Sequence, residues 1–118
     1  MKILGNGIDI VSVQKVKRAI ERWGGAFIEK VFNPQEMRHI KNDRMYAQRI
    51  ASRFAVKEAV IKSVGRKCRI SLKDVVVEKE STGAPVCSIA GMPEIEVMIS
   101  LSHIEEYAVA SAIAAEKI

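Results

Sequence analysis

Aromatic residues make up only 5% of this 118-residue chain, and it has just two cysteines. Two thiols, Cys68 and Cys87, cannot build a disulfide framework or a metal cluster, so they read as buried or half-buried thiols in a reducing cytosol. No apolar run approaches the roughly 20 residues that a membrane helix needs; Tyr107 to Ala115 is among the longest. The opening segment, MKILGNGIDI, carries Lys2 but no long apolar stretch and no small-residue cleavage site, which argues against a secretory leader. Repeats, low-complexity tracts and linker-like segments are also missing. These absences exclude a secreted disulfide mini-protein, a helical membrane protein and a zinc module.

What is present is globular: 48% hydrophobic and 28% charged residues, on a length that implies one domain over residues 1–118. With so few aromatics, the core must come from Val, Ile, Leu, Ala and Met. The net charge of +5 hides an asymmetry. Residues 1–69 hold 16 Lys/Arg against 6 Asp/Glu, a balance of +10, and residues 70–118 hold 3 against 8, a balance of −5. Such a split steers an anionic partner, which charge alone leaves open among a nucleic acid, a phosphorylated ligand and an acidic protein. A plain solvated surface fits it equally well.

Residues 3–11 read as an Ile-rich strand with Gly5 and Gly7 loosening its start. Ser12 reads as the N-cap of a helix with Val13, Val16, Ile20 and Trp23 at helical spacing and Lys15, Lys17, Arg18 and Arg22 on its other face, ended by Gly24-Gly25. Asn33, Pro34 and Glu36 form a second start signal, a cap, a first-turn proline and a capping-box acid, for a helix that fades near Asn42-Asp43. The longest helical pattern runs from about Met45 to Val64, with a stripe of Ala47, Ile50, Ala51, Phe54 and Ile61. After Gly65 the pattern turns to strands: Asp74 to Lys79, a Thr82-Gly83-Ala84-Pro85 turn, Val86 to Ile89, and the strictly alternating Ile95, Val97, Ile99 and Leu101. Tyr107 to Ala114 has alanine at every second position and reads as a hairpin partner whose small side chains admit a close neighbour. The fold class is α+β, with helices packed on a mostly antiparallel sheet.

Two acids break their local pattern. Asp9 sits among Ile8, Ile10 and Val11 in the first strand. Glu58 falls at the centre of the long helix's apolar stripe, with Lys62 four residues on. Unpaired buried carboxylates are costly, so two of them in one small domain ask for a shared cation. Carboxylate oxygens without neighbouring Cys or His suit Mg²⁺, which completes its shell with water and phosphate oxygens. The alternative at this point is that Asp9 caps the first helix and Glu58 pairs with Lys62 or Lys57. His103 stands at a strand-to-loop boundary where site residues often sit. His39 reads as solvated, and Trp23 and the five methionines read as core. Gly5-Asn6-Gly7 has neither a dinucleotide fingerprint's spacing nor a P-loop ending.

Taken together, Gly7-Ile8-Asp9-Ile10-Val11, Arg53-Phe54-Ala55-Val56-Lys57-Glu58-Ala59 with Lys62, and Ser100-Leu101-Ser102-His103 resemble the 4′-phosphopantetheinyl transferases. The short length and Phe32-Asn33-Pro34-Gln35-Glu36 are similar to the holo-[acyl-carrier-protein] synthase branch. Departures from the family pattern are Ser12 where an acid is common, Ser63 where alanine is usual, and a single Gly65 where a glycine-rich stretch is common. The resemblance implies transfer of the 4′-phosphopantetheine arm of coenzyme A to a serine of apo acyl carrier protein. That reaction releases adenosine 3′,5′-bisphosphate and serves fatty acid biosynthesis. Asp9, Glu58 and Lys62 would then be catalytic. Asp9 and Glu58 would hold Mg²⁺, Lys62 would contact the phosphates, and either a metal-bound water or Glu58 would take the serine proton. Arg53 and His103 become candidates for the 3′-phosphate of coenzyme A, and Gly83 and Pro85 for its adenosine end. Lys15, Arg18 and Arg22 would meet the acidic carrier protein. The short branch forms homotrimers with sites between subunits. Two other readings remain: a small basic nucleic-acid-binding module, which leaves Asp9 and Glu58 unexplained, and an inactive relative serving as an assembly subunit.

Overall fold

A serine cap, a proline and a pair of glycines set the element boundaries in the first third of the chain. The computed structural model describes residues 1–65, 68–79 and 82–117; Arg66 and Lys67, in the basic segment after the long helix, lie outside them. Ser12 ends strand β1 (Lys2–Ser12) and caps helix α1 (Val13–Trp23), its hydroxyl accepting from the Lys15 amide at 3.2 Å. Val13 and Val16 are buried, but Trp23, expected in the core, is 58% exposed. It is the last residue of α1, where Gly24 turns the chain into an unforeseen helix α2 (Gly25–Val31). Phe27 of α2 packs on the core instead, its ring 6.3 Å from that of Phe54. Asn33, Pro34 and Glu36 open helix α3 (Pro34–Met37) with the expected capping box. This helix lasts one turn rather than reaching Asn42-Asp43, because the chain then folds inward to bury Ile40.

Helix α4 (Tyr46–Val64) is the axis of the molecule. A 3-10 turn at Leu72–Asp74 leads into β2 (Val75–Lys79). The remaining strands are β3 (Pro85–Ile89), β4 (Ile95–His103) and β5 (Tyr107–Glu116). Among the described residues β1, β5 and β4 form one antiparallel sheet in that order, and β2 with β3 forms a separate hairpin. No helix of the described residues is long and apolar enough to cross a membrane.

The main sheet meets α4 on a floor of small residues. Ala108, Ala110, Ala112 and Ala114 of β5 are all buried, and Gly7 pairs with Ala112 and Gly5 with Ala114. A β-carbon at Gly7 would come within 2.1 Å of the Ala59 carbonyl oxygen, and one at Gly5 within 2.4 Å of the Ser63 carbonyl oxygen. These glycines therefore do not loosen the strand. They let β1 lie against the backbone of α4. Ser63 fits the same tight seam, buried with its hydroxyl donating to the Val60 carbonyl at 2.6 Å. Because opposed residues of an antiparallel pair share a face, Asp9, opposite Ala110, faces α4 as well.

The burial of α4 differs from the expected stripe. Ile50, Ala51, Ala55, Val56, Ala59, Val60 and Val64 are fully or almost fully buried, whereas Ala47, Phe54 and Ile61 are only half-buried. Elements pack on nearly every side of the helix, so its burial is not confined to one stripe. Glu58 stands on the half-buried side, and the fully buried charge is its neighbour Lys57.

Substituting Gly7 by alanine should cost about 2–3 kcal/mol of unfolding free energy, because helix or strand backbone must shift to clear the methyl. Gly25→Ala, which meets nothing within 4 Å, should change little. Urea denaturation of the two variants checks this; equal stabilities would contradict the close-approach account.

Candidate active site

Asp9 reaches the α4 side of the sheet because its strand position dictates it, and Glu58 comes from the half-buried side of the helix. Both line one cavity of about 470 Å³, together with Ser12, Lys15, Phe54 and Tyr107. Lys62 does not pair with Glu58, its helical neighbour. Its ammonium donates to Asp9 Oδ1 at 3.2 Å and to the Ile8 carbonyl at 3.0 Å, so it bridges helix to strand. Nor does Asp9 cap α1, since Ser12 does, and Lys57 is engaged elsewhere. Burial pushes the Glu58 carboxyl pKa above its ordinary value, the negative charge of Asp9 adds to this, and Lys62 opposes it. Two carboxylates thus line one cavity, and one of them, Asp9, is held by Lys62.

Among the described residues no group of three His, Cys, Asp or Glu side chains could hold a metal. The donor set at Asp9 and Glu58 is two carboxylates only. That fits a hard cation that takes one or two protein carboxylates and fills its other positions with water and phosphate oxygens, as Mg²⁺ does. It does not fit a zinc or iron centre.

A second cavity, of about 640 Å³, is bounded by α4, the β2–β3 hairpin and β4. Arg53, Gly83, Pro85 and His103 all line it, with Gln48 and Lys79. Arg53 is only 8% exposed, and its buried Nη1 has no hydrogen-bond partner. Burial lowers the Arg53 pKa and the Glu36 carboxylate resists, yet a guanidinium stays protonated at any physiological pH. An unpaired buried donor of this kind carries a large desolvation cost, which an anionic ligand oxygen in the cavity would offset. The buried Gln48 Oε1 on the same wall is likewise unpartnered. Arg49, also on this wall, is tied to the Asp43 carboxylate and donates to the Lys41 carbonyl at 3.2 Å. Its hydrogen bond holds the Asp43 carboxyl below its ordinary pKa.

The expected site residues therefore fall into three places. Asp9 and Glu58 meet at the smaller cavity, with Lys62 bonded to Asp9. Arg53, Gly83, Pro85 and His103 share the larger one, so Lys62, expected with coenzyme A, stands apart from them. Lys15, Arg18 and Arg22 lie exposed on α1, where Lys15 also borders the Asp9 cavity and the Arg22 guanidinium lies 4.9 Å over the Trp23 ring. Sequence reasoning missed Gln48, whose only signal was a polar residue five positions before Arg53 on a mostly apolar helix.

The sequence model of the 4′-phosphopantetheinyl transferase superfamily matches residues 5–112. A holo-[acyl-carrier-protein] synthase of Thermodesulfovibrio yellowstonii is 39% identical over 108 residues, covering 92% of this chain and 95% of the relative. A holo-(acyl-carrier-protein) synthase from Bacillus anthracis, solved in complex with coenzyme A (3′,5′-ADP), superposes with a TM-score of 0.85 at 27% identity, over 99% of this chain and 100% of that one. The Helicobacter pylori enzyme in complex with coenzyme A gives 0.82 at 29% identity, over 93% and 99%. With its two-carboxylate cavity and its anion-seeking arginine, the chain belongs to the 4′-phosphopantetheinyl transferase superfamily, among the holo-[acyl-carrier-protein] synthases.

Proposed function

We propose that Asp9 and Glu58 hold the Mg²⁺ with which this transferase moves the 4′-phosphopantetheine arm of coenzyme A to a serine of apo acyl carrier protein. The serine oxygen attacks the phosphorus that bears the pantetheine arm, and its proton passes to Glu58 or to water. The bond to the departing phosphate breaks, and adenosine 3′,5′-bisphosphate leaves. Mg²⁺ held by the two carboxylates supplies charge neutralisation and orientation of the pyrophosphate. Lys62, already anchored on Asp9 and the Ile8 carbonyl, adds a positive charge beside the leaving phosphate. The observation that carries this reading is the convergence of Asp9 and Glu58 on one cavity, where burial, and then the Asp9 charge, raises the Glu58 carboxyl pKa.

Arg53 and His103 bind the 3′-phosphate, and Gly83 and Pro85 border the adenosine end. The unpaired Arg53 Nη1 supports this assignment. The exposed basic face of α1, with Lys15, Arg18 and Arg22, docks the acidic carrier protein and delivers its serine toward the Asp9 cavity that Lys15 borders. The reading includes a homotrimer with sites between subunits. It is supported by the outer face of the main sheet, where Ile8 and Ile10 are 65% and 63% exposed beside Met98 and Ile113. The free thiols Cys68 and Cys87 fit the reducing cytosol in which the reading places the enzyme; burial pushes the Cys87 thiol up to about 12.

Glu58→Gln should lower turnover on the order of a hundredfold or more while leaving the fold intact or slightly more stable, because a partly desolvated charge is removed. Steady-state rates and thermal melts of the same preparation check this. A variant that unfolds yet keeps normal activity per folded molecule would contradict the metal role.

Charge reversal at Arg18 and Arg22 should raise KM for the carrier protein, more at low salt, and spare KM for coenzyme A. Titrating each substrate at two ionic strengths checks it, and equal effects on both substrates would remove the docking assignment.

A further inference from the structure

The larger cavity is built from parts that no shared sheet joins. One wall is α4, with Gln48 and Arg53, and the facing wall is the β2–β3 hairpin, with Val77, Lys79, Gly83 and Pro85. The hairpin is not hydrogen-bonded into the β1-β5-β4 sheet among the described residues. Apolar packing of Val75, Val77, Cys87 and Ile89 holds the hairpin against the core, and a buried ion pair fixes it to α4 at a defined point. Lys57, 0% exposed, lies one helical turn after Arg53 on the same side of α4. Its ammonium donates to Glu36 Oε1 at 2.7 Å, to the Val31 carbonyl at 2.9 Å and to the Leu72 carbonyl at 3.1 Å, which uses all of its donors. The other carboxylate oxygen, Glu36 Oε2, accepts the Val77 amide of β2 at 3.0 Å. Lys57 thus grips the chain just before β2, and Glu36 grips β2 itself at a residue that lines the cavity.

We propose that the Lys57–Glu36 pair is a positioning device for coenzyme A. By fixing the hairpin to α4 it sets the width of the cavity, so that Arg53 on one wall and Gly83 and Pro85 on the other close on the same ligand. The inference rests on the assignment of this cavity to coenzyme A. Lys57 touches no substrate in this account; it acts through Glu36 and the hairpin. A purely structural pair would change how much protein folds, not the affinity of the folded fraction.

The test is the double variant Glu36→Leu/Lys57→Met, which removes both charges at once and leaves neither buried without its partner. Its KM for coenzyme A should rise about tenfold or more, with kcat per folded molecule within about twofold and KM for the carrier protein unchanged. Arg53→Ala serves as the control for the cavity itself. If Arg53→Ala raises KM for coenzyme A and the folded double variant does not, the positioning role is overturned and the cavity assignment stands. If neither changes it, the cavity is not the coenzyme A site, and both fail. Should the double variant not fold, hydrogen exchange of the wild-type protein decides. Amides of Val75–Lys79 and Val86–Ile89 exchanging as slowly as the core of α4 would support a locked hairpin. A separate, much faster opening of those segments would overturn it.

Discussion

The Lys57 ammonium and the Glu36 carboxylate form a charge pair inside the core, and such a pair survives only if every donor and acceptor on it is used. Meeting that demand draws in the end of α2 through the Val31 carbonyl, the cap of α3 through the Asn33 amide, the 3-10 turn through the Leu72 carbonyl and β2 through the Val77 amide. The Phe32 ring, centred 5.0 Å from the ammonium, adds a cation–π contact. Burial lowers the Lys57 pKa while the carboxylate at its side works to keep it charged. These short elements, which also bury Val31, Phe32, Val75 and Val77 in the core, are thereby held around one point on α4.

The same helix organises the chemistry because each side of it meets a different neighbour. Toward the main sheet, glycine and alanine leave room for backbone contact, and this brings Asp9 close enough for Lys62 to span from helix to strand. Toward the hairpin, Arg53 is buried with a donor to spare. Arg53, Lys57, Glu58 and Lys62 all stand on one helix, so the two cavities keep a fixed relation within the chain.

Local chemistry was legible in the sequence. The Ser12 cap, the Asn33 capping box, the span of α4 and the alanine-rich strand as a hairpin partner all followed from nearest-neighbour physics. Asp9 stood out in an apolar strand, whereas the apolar stripe that singled out Glu58 is only half-buried at Ala47, Phe54 and Ile61. What the sequence hid was partnership at a distance. Glu36 reads as a capping-box acid and is one, yet its carboxylate also meets a lysine 21 residues away and an amide 41 residues away. Lys62 stands at the right spacing to pair with Glu58 but finds Asp9, because β1 passes within contact of α4. Gly5 and Gly7 look permissive along the strand and are in fact required by the helix above it. Trp23 fits the apolar spacing of α1, yet the turn at Gly24 leaves it outside.

The proposed function stands on a metal-dependent transfer at the Asp9–Glu58 cavity. Intact-mass spectrometry of an apo acyl carrier protein mixed with this protein, coenzyme A and Mg²⁺, with an EDTA control, tests it most directly. The expected result is a gain of one phosphopantetheine on the carrier that EDTA abolishes. A gain unaffected by EDTA would contradict the metal's role. No gain with several carriers, from protein shown to be folded, would contradict the transfer itself.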